Sequence, residues 1–179
     1  MEDISPLPHA STAGFILAGG ERTRIGRDKR LLLLDQIPLL LPMVRLLESG
    51  LTSVAVVGHP GAYDSLDLRT VEDDWPGAGP LDGDATALCA AETPWTLIVA
   101  CVLPHLTRER LGSLIGRALA SEADAVLPTN VGGFKPLCAM YHKRCTTAIQ
   151  GALASGARKV TDAITALRGN NRPDGMEAL

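Results

Sequence analysis

One stretch of this chain combines glycines and cations at a spacing that can do chemistry: Leu17-Ala-Gly-Gly-Glu-Arg-Thr-Arg-Ile-Gly-Arg-Asp-Lys29. Gly19 and Gly20 let the backbone turn sharply and present its N–H groups to an anion. Arg22, Arg24, Arg27, Lys29 and Arg30 follow closely, so guanidinium and ammonium groups can reach a polyphosphate lying on those amides. The ligand this serves is a nucleotide. Spacing excludes the two commoner glycine-rich phosphate loops. There is no Gly-x-x-x-x-Gly-Lys-Ser/Thr, and Gly19-Gly20 with Gly26 does not make Gly-x-Gly-x-x-Gly. Without that fingerprint and its acidic ribose-binding residue, a Rossmann oxidoreductase is not supported. His9, His59, His105 and His142 stand singly, and no Gly-x-Ser-x-Gly elbow points to a hydrolase.

The loop has to be carried by an apolar strand, and Ala13 to Ala18 reads as one. Beyond an expected flexible arm over 1–12, residues 13–179 alternate strand-like and helix-like segments as a single domain. A short helix is expected over Pro42–Gly50, with proline near its start and glycine past its end. Buried strands are expected at Ser53–Gly58 and Arg69–Glu72, and a helix from Gly79 to Glu92. Trp95 to Val102 is continuously apolar, as a central parallel strand would be. Thr107 is the natural cap of a helix over Arg108–Ala120. Strands over Asp124–Pro128 and Pro136–Tyr141 and two closing helices, about 144–154 and 160–168, complete the order. The alternation predicts a three-layer α/β/α fold on a mostly parallel, Rossmann-like sheet. Ligands of such sheets bind at the carboxyl ends of the strands, where the glycine loop, Asp73 and the segment after Val102 would converge.

Composition agrees and excludes other classes. The chain has 179 residues, 46% hydrophobic but only 3% aromatic, so Leu, Ala, Val and Ile must fill the core. A net charge of −3 argues against a nucleic-acid-binding surface. Cys89, Cys101, Cys138 and Cys145 have neither Cys-x-x-Cys spacing nor a small disulfide scaffold around them, which predicts free thiols in a reducing cytoplasm. The acidic N-terminus lacks the pattern of a secretory signal, and Asp35, Gln36 and Pro38 interrupt the Leu-rich run well short of a membrane span.

The glycine-rich stretch resembles the nucleotidyltransferase signature Leu-Ala-Gly-Gly-x-x-x-Arg-Met-Gly-x-Asp-Lys, with Ile25 in place of Met. Within that superfamily the chain looks most like the molybdenum cofactor guanylyltransferases, which join GMP from GTP to molybdopterin. Gly79-Pro-Leu-Asp-Gly83 is similar to the family's Gly-Pro-Leu-x-Gly, and Lys135-Pro-Leu-Cys-Ala-Met-Tyr141 to its Pro-Leu-x-Ala-Leu-Tyr strand. The resemblance implies a fold of the nucleotidyltransferase type. It implies that Leu17, Ala18, Gly19, Gly20 and Gly26 wrap the nucleotide and that Arg24 and Lys29 hold the triphosphate during the reaction. Asp73 is expected on the guanine, and Gly79, Pro80, Leu81 and Gly83 beside the nucleotide, with the following helix aiming its positive end there.

The family follows its central strand with Cys-Asp-x-Pro, whose aspartate binds Mg2+. Here the text is Cys101-Val102-Leu103-Pro104, and valine cannot ligate a metal. Asp82 and Asp84 are then the nearest carboxylates for Mg2+. On the acceptor side the family's Asn-x-Asn-Thr-Pro segment corresponds to Gly169-Asn-Asn-Arg-Pro-Asp-Gly-Met176, with Asn171 as the acceptor-binding residue. The implied partners are GTP, molybdopterin and proteins that deliver or accept the cofactor. Two other readings stay open: CTP- or sugar-phosphate-directed transfer, and a silent nucleotide-binding protein that lost the metal aspartate at Val102.

Overall fold

The computed structural model describes residues 12–18, 33–34, 37–38, 40–59, 61, 63, 66–73, 79–101, 103, 106–130, 133–134, 138–169 and 176–178. The main sheet is built on β1 (Thr12–Leu17), β4 (Ser53–Val57), β5 (Thr70–Val71), β6 (Trp95–Ala100), β7 (Ala125–Leu127), β10 (Cys138–His142) and β11 (Met176–Ala178). Its strand order is β11-β7-β10-β6-β1-β4-β5. Two small ribbons lie apart from it, β2 (Leu33–Leu34) with β3 (Ile37–Pro38) and β8 (Thr129–Asn130) with β9 (Gly133–Phe134).

β1 and β6 are apolar but for the buried Thr12 and Thr96, because the sheet is covered on both faces. On one face Ala13, Phe15 and Ile98 pack with Leu81, Ala85 and Leu88 of α2 (Pro80–Ala90) and with Ile149, Leu153, Val160 and Ile164 of α4 (Thr146–Ala154) and α5 (Val160–Gly169). On the other face Ile16, Leu97 and Val99 meet Met43, Val44 and Leu47 of α1 (Leu40–Glu48) and Leu111, Leu114 and Ile115 of α3 (Arg108–Ala120). This is the expected three-layer α/β/α arrangement. α3 starts where the sequence placed it, with Arg110 N–H donating to Thr107 Oγ1 at 3.3 Å.

The sheet departs from the simplest alternation in two places. β10 runs antiparallel to both β6 and β7, so the sheet is mixed; all its other pairs are parallel. A further strand after α5, β11, adds in parallel to β7 and was not expected from the sequence, where helices close the domain. The antiparallel insertion sets His142 opposite Trp95. Their rings meet edge to face at 5.1 Å and 86°, and Arg144 N–H donates to His142 Nδ1 at 3.2 Å. All four cysteines are thiols outside any disulfide, and burial pushes Cys138 and Cys145 up to about 12. Among the described residues no helix is long and apolar enough to cross a membrane.

Candidate functional site

β1 is the middle of the parallel part of the sheet, and its end is fixed on three sides. Leu17 C=O accepts from Cys101 N–H beyond β6 at 3.2 Å, and Ala18 N–H donates to Val57 C=O of β4 at 3.0 Å. Ala18 C=O accepts from the Tyr63 hydroxyl at 3.3 Å. Tyr63 is fully buried. The glycine-rich loop therefore leaves the sheet from an immobilised point. Because β1, β4, β5 and β6 are parallel, Ala18, Gly58, Asp73 and Cys101 all emerge at one edge, the carboxyl edge where ligands of such sheets bind.

The Gly79-Pro80-Leu81-Asp82-Gly83 motif begins α2 beside that point. A Cβ on Gly83 would lie 3.1 Å from Leu17 Cδ2, so the first turn of α2 packs directly on the last residue of β1. Gly79 has φ +104°, and a Cβ there would stand 2.9 Å from Arg158 C=O. Gly79 is thus required by the backbone and by a contact within the chain itself, and Gly83 permits the close packing on Leu17. The amides at the start of α2 are likewise partnered internally. Leu81 N–H donates to Arg158 C=O at 3.3 Å, Asp82 N–H to Gly79 C=O at 3.2 Å and Gly83 N–H to Asp82 Oδ1 at 2.6 Å. These three donors therefore have acceptors within the protein, while the first turn of α2 itself lies against the end of β1.

Asp73 lies two residues past β5 and is partly buried. Its Oδ1 accepts from the hydroxyl of Thr86, a residue of α2 that is 1% exposed, at 3.3 Å. This bond joins the strand end to the helix that carries the Gly79–Gly83 motif, so Leu17, Ala18, Asp73 and the start of α2 form one assembly. Gly19, Gly20, Arg24, Gly26, Lys29, Val102 and Asn171 lie outside the described residues.

The two spare carboxylates differ sharply. Asp82 is 7% exposed and already accepts from Gly83 N–H. Asp84 is fully buried, and among the described residues neither of its oxygens has a hydrogen-bond partner. Burial first, and Asp82 second, raise its pKa well above the carboxylate range. It faces the layer that holds Thr96 and Tyr141, whose hydroxyls are also buried without partners, and it helps raise the tyrosine pKa. A carboxyl enclosed at that depth, with no exposed oxygen, does not fit Mg2+, which takes an octahedral shell of oxygen ligands that includes the nucleotide and water. Among the described residues no group of three or more acidic, His or Cys side chains could hold a metal. The expected Asp84 ligand is thus corrected, and no step of the reaction is assigned to a metal held by the protein.

Sequence reasoning missed two residues of the assembly. Tyr63 has no motif around it. Thr86 had a readable signal, because it follows Gly83 by one helical turn and so shares its face.

A glycine-rich segment directly after β1 of such a sheet, with an acidic residue after β5 two strands away, fits a nucleotidyltransferase-type domain. The chain belongs to the MobA-like NTP transferase domain family, whose model matches residues 14–169. It is 34% identical to the probable molybdenum cofactor guanylyltransferase of Chloroflexus aggregans, over 89% of this chain and 79% of that protein. It is 35% identical to the protein of the same name from Mycobacterium bovis (strain BCG / Pasteur 1173P2), over 87% and 82%. The crystal structure of molybdopterin-guanine dinucleotide biosynthesis protein A from Archaeoglobus fulgidus shares the fold, with a TM-score of 0.76 at 20% identity, covering 93% of this chain and 82% of that one. The 2-C-methyl-D-erythritol 4-phosphate cytidylyltransferase of Thermus thermophilus has the same fold at a TM-score of 0.66 and 16% identity, over 92% and 86%. The sequence-based expectations of fold and family, and with them of a nucleotidyltransferase, hold.

Proposed function

We propose that this chain transfers GMP from GTP to molybdopterin and releases pyrophosphate. The observation that carries this is the match to the MobA-like family across residues 14–169, together with relatives at 34% and 35% identity that bear the guanylyltransferase name. In the reaction a phosphate oxygen of molybdopterin attacks the α-phosphorus of GTP. A P–O bond forms there, and the bond to the α–β bridging oxygen breaks with its electron pair leaving on pyrophosphate. No covalent enzyme intermediate is needed, so the protein's work is to position two anions in line and offset their charge.

In this reading the anchored end of β1 aims the Gly19-Gly20 amides at the phosphates, and Arg24 and Lys29 neutralise them. Asp73 takes the guanine edge, Gly26 keeps the loop close, and Asn171 contacts the acceptor. Mg2+ enters as the counter-ion of the nucleotide's own phosphates, and no step is routed through it.

The test is calorimetric titration with GTP, CTP and ATP, with and without Mg2+, followed by pyrophosphate release with molybdopterin. Preferred binding of GTP and release that requires molybdopterin are expected. Equal binding of CTP, or binding without release, would overturn the assignment. Replacing Lys29 by Ala should cost about 10²-fold or more in kcat/KM while the melting temperature stays unchanged.

A further inference from the structure

We propose that Thr86 is a positioning residue for base selection, holding the Asp73 carboxylate in the orientation that reads the nucleotide's base. The inference rests on the reading of Asp73 given above and deepens it.

Asp73 lies beyond the two residues of its own strand. β5 has only two residues, and the last ladder bond on this side, Gly58 N–H to Val71 C=O at 3.0 Å, ends two residues before it. The orientation of the Asp73 side chain is therefore set by contacts other than the ladder. Thr86 supplies one of them from another element, thirteen residues away in sequence, at 3.3 Å.

The residue type supports the role. Thr86 is buried on α2 with Leu81, Gly83, Ala85, Ala87 and Leu88 and with the carboxylates Asp82 and Asp84 on the same helix, and Ala or Val at its position would bury as well. Threonine is a modest helix former, and a buried hydroxyl is costly unless it is bonded. Its hydroxyl reaches Asp73 Oδ1, and a carboxylate has about four acceptor sites. The bond to Thr86 occupies one of these sites and fixes the direction of that oxygen. Guanine offers two donors side by side, its N1–H and its 2-amino group. Hypoxanthine, the base of ITP, offers only N1–H. A carboxylate whose plane is fixed can tell the two apart, whereas one that rotates accepts the single donor nearly as well.

The experiment measures GTP and ITP side by side in the full chain. Calorimetric affinities and kcat and KM for pyrophosphate release with molybdopterin are determined for the wild type, Thr86→Val, Thr86→Ser and Asp73→Asn, with a thermal melt of each. Thr86→Val should lose about five- to tenfold of the GTP-over-ITP preference, the scale of one hydrogen bond, through KM and affinity with kcat nearly unchanged. Thr86→Ser should retain the preference, and Asp73→Asn should lose at least as much. A folded Thr86→Val that keeps the wild-type preference, while Asp73→Asn loses it, overturns the role of Thr86 alone. A wild type that prefers GTP but gives no pyrophosphate overturns the transfer reaction and leaves Thr86 standing. Asp73→Asn with an unchanged preference, or a wild type without one, removes both Asp73 and Thr86 from base reading.

Discussion

Asp84 occupies a depth at which a carboxylate is costly, and its position gives a pH dependence with a definite sign. Its folded pKa is raised above the unfolded carboxylate value, by burial first and Asp82 second. Its contribution is therefore most favourable below the unfolded pKa and is progressively lost as pH rises through that value towards the folded one. Asp84→Asn keeps the shape and removes the titration. The variant should be more stable than wild type at pH 8 by about 1–3 kcal/mol, several degrees in Tm, and the gain should vanish near pH 4. Thermal melts at the two pH values decide it, and a variant equally stable or weaker at pH 8 would show that Asp84 finds compensation in the fold. No motif marked this residue as structural. In the sequence it stood beside Asp82 as an equivalent carboxylate, and only the packing of α2 on the sheet separates a fully buried acid from a nearly buried one with an amide on it.

α2 illustrates which part of a site can be read before the fold is known. The Gly79–Gly83 motif, the proline at its start and the helix that follows were all legible, because proline and glycine mark chain direction locally. What those glycines touch was not legible. Gly79 meets Arg158 and Gly83 meets Leu17, and both partners arrive from elsewhere in the chain. Gly79→Ala should cost about 1–3 kcal/mol, since alanine is strained at φ +104° and its methyl collides with a carbonyl oxygen. A chemical denaturation midpoint shifted down with an unchanged slope is the expected result.

Across the whole molecule the order of strands and helices followed from hydrophobic runs and their punctuation, and the central strands β1 and β6 were evident as segments apolar but for one threonine each. The direction of β10 was not. Five alternating or apolar residues look the same whether a strand runs up or down, and the connection that decides it lies between β7 and β10, where no hydrophobic pattern records direction. β11 escaped for a related reason: Met176-Glu-Ala178 is too short to announce itself, and only the edge of β7 makes it a strand.

The reversed β10 also gives the molecule an optical handle. It sets the His142 imidazole against the Trp95 indole, which is 7% exposed. A protonated imidazole accepts an electron from an excited indole and quenches its light, while a neutral one does so weakly. Burial and then Arg144 lower the His142 pKa. In a Trp75→Phe background, Trp95 emission should therefore stay bright through neutral pH and dim only below the ordinary histidine range. His142→Gln should erase that step, so the brightness of one residue reports, without any label, whether the antiparallel strand is seated in the sheet.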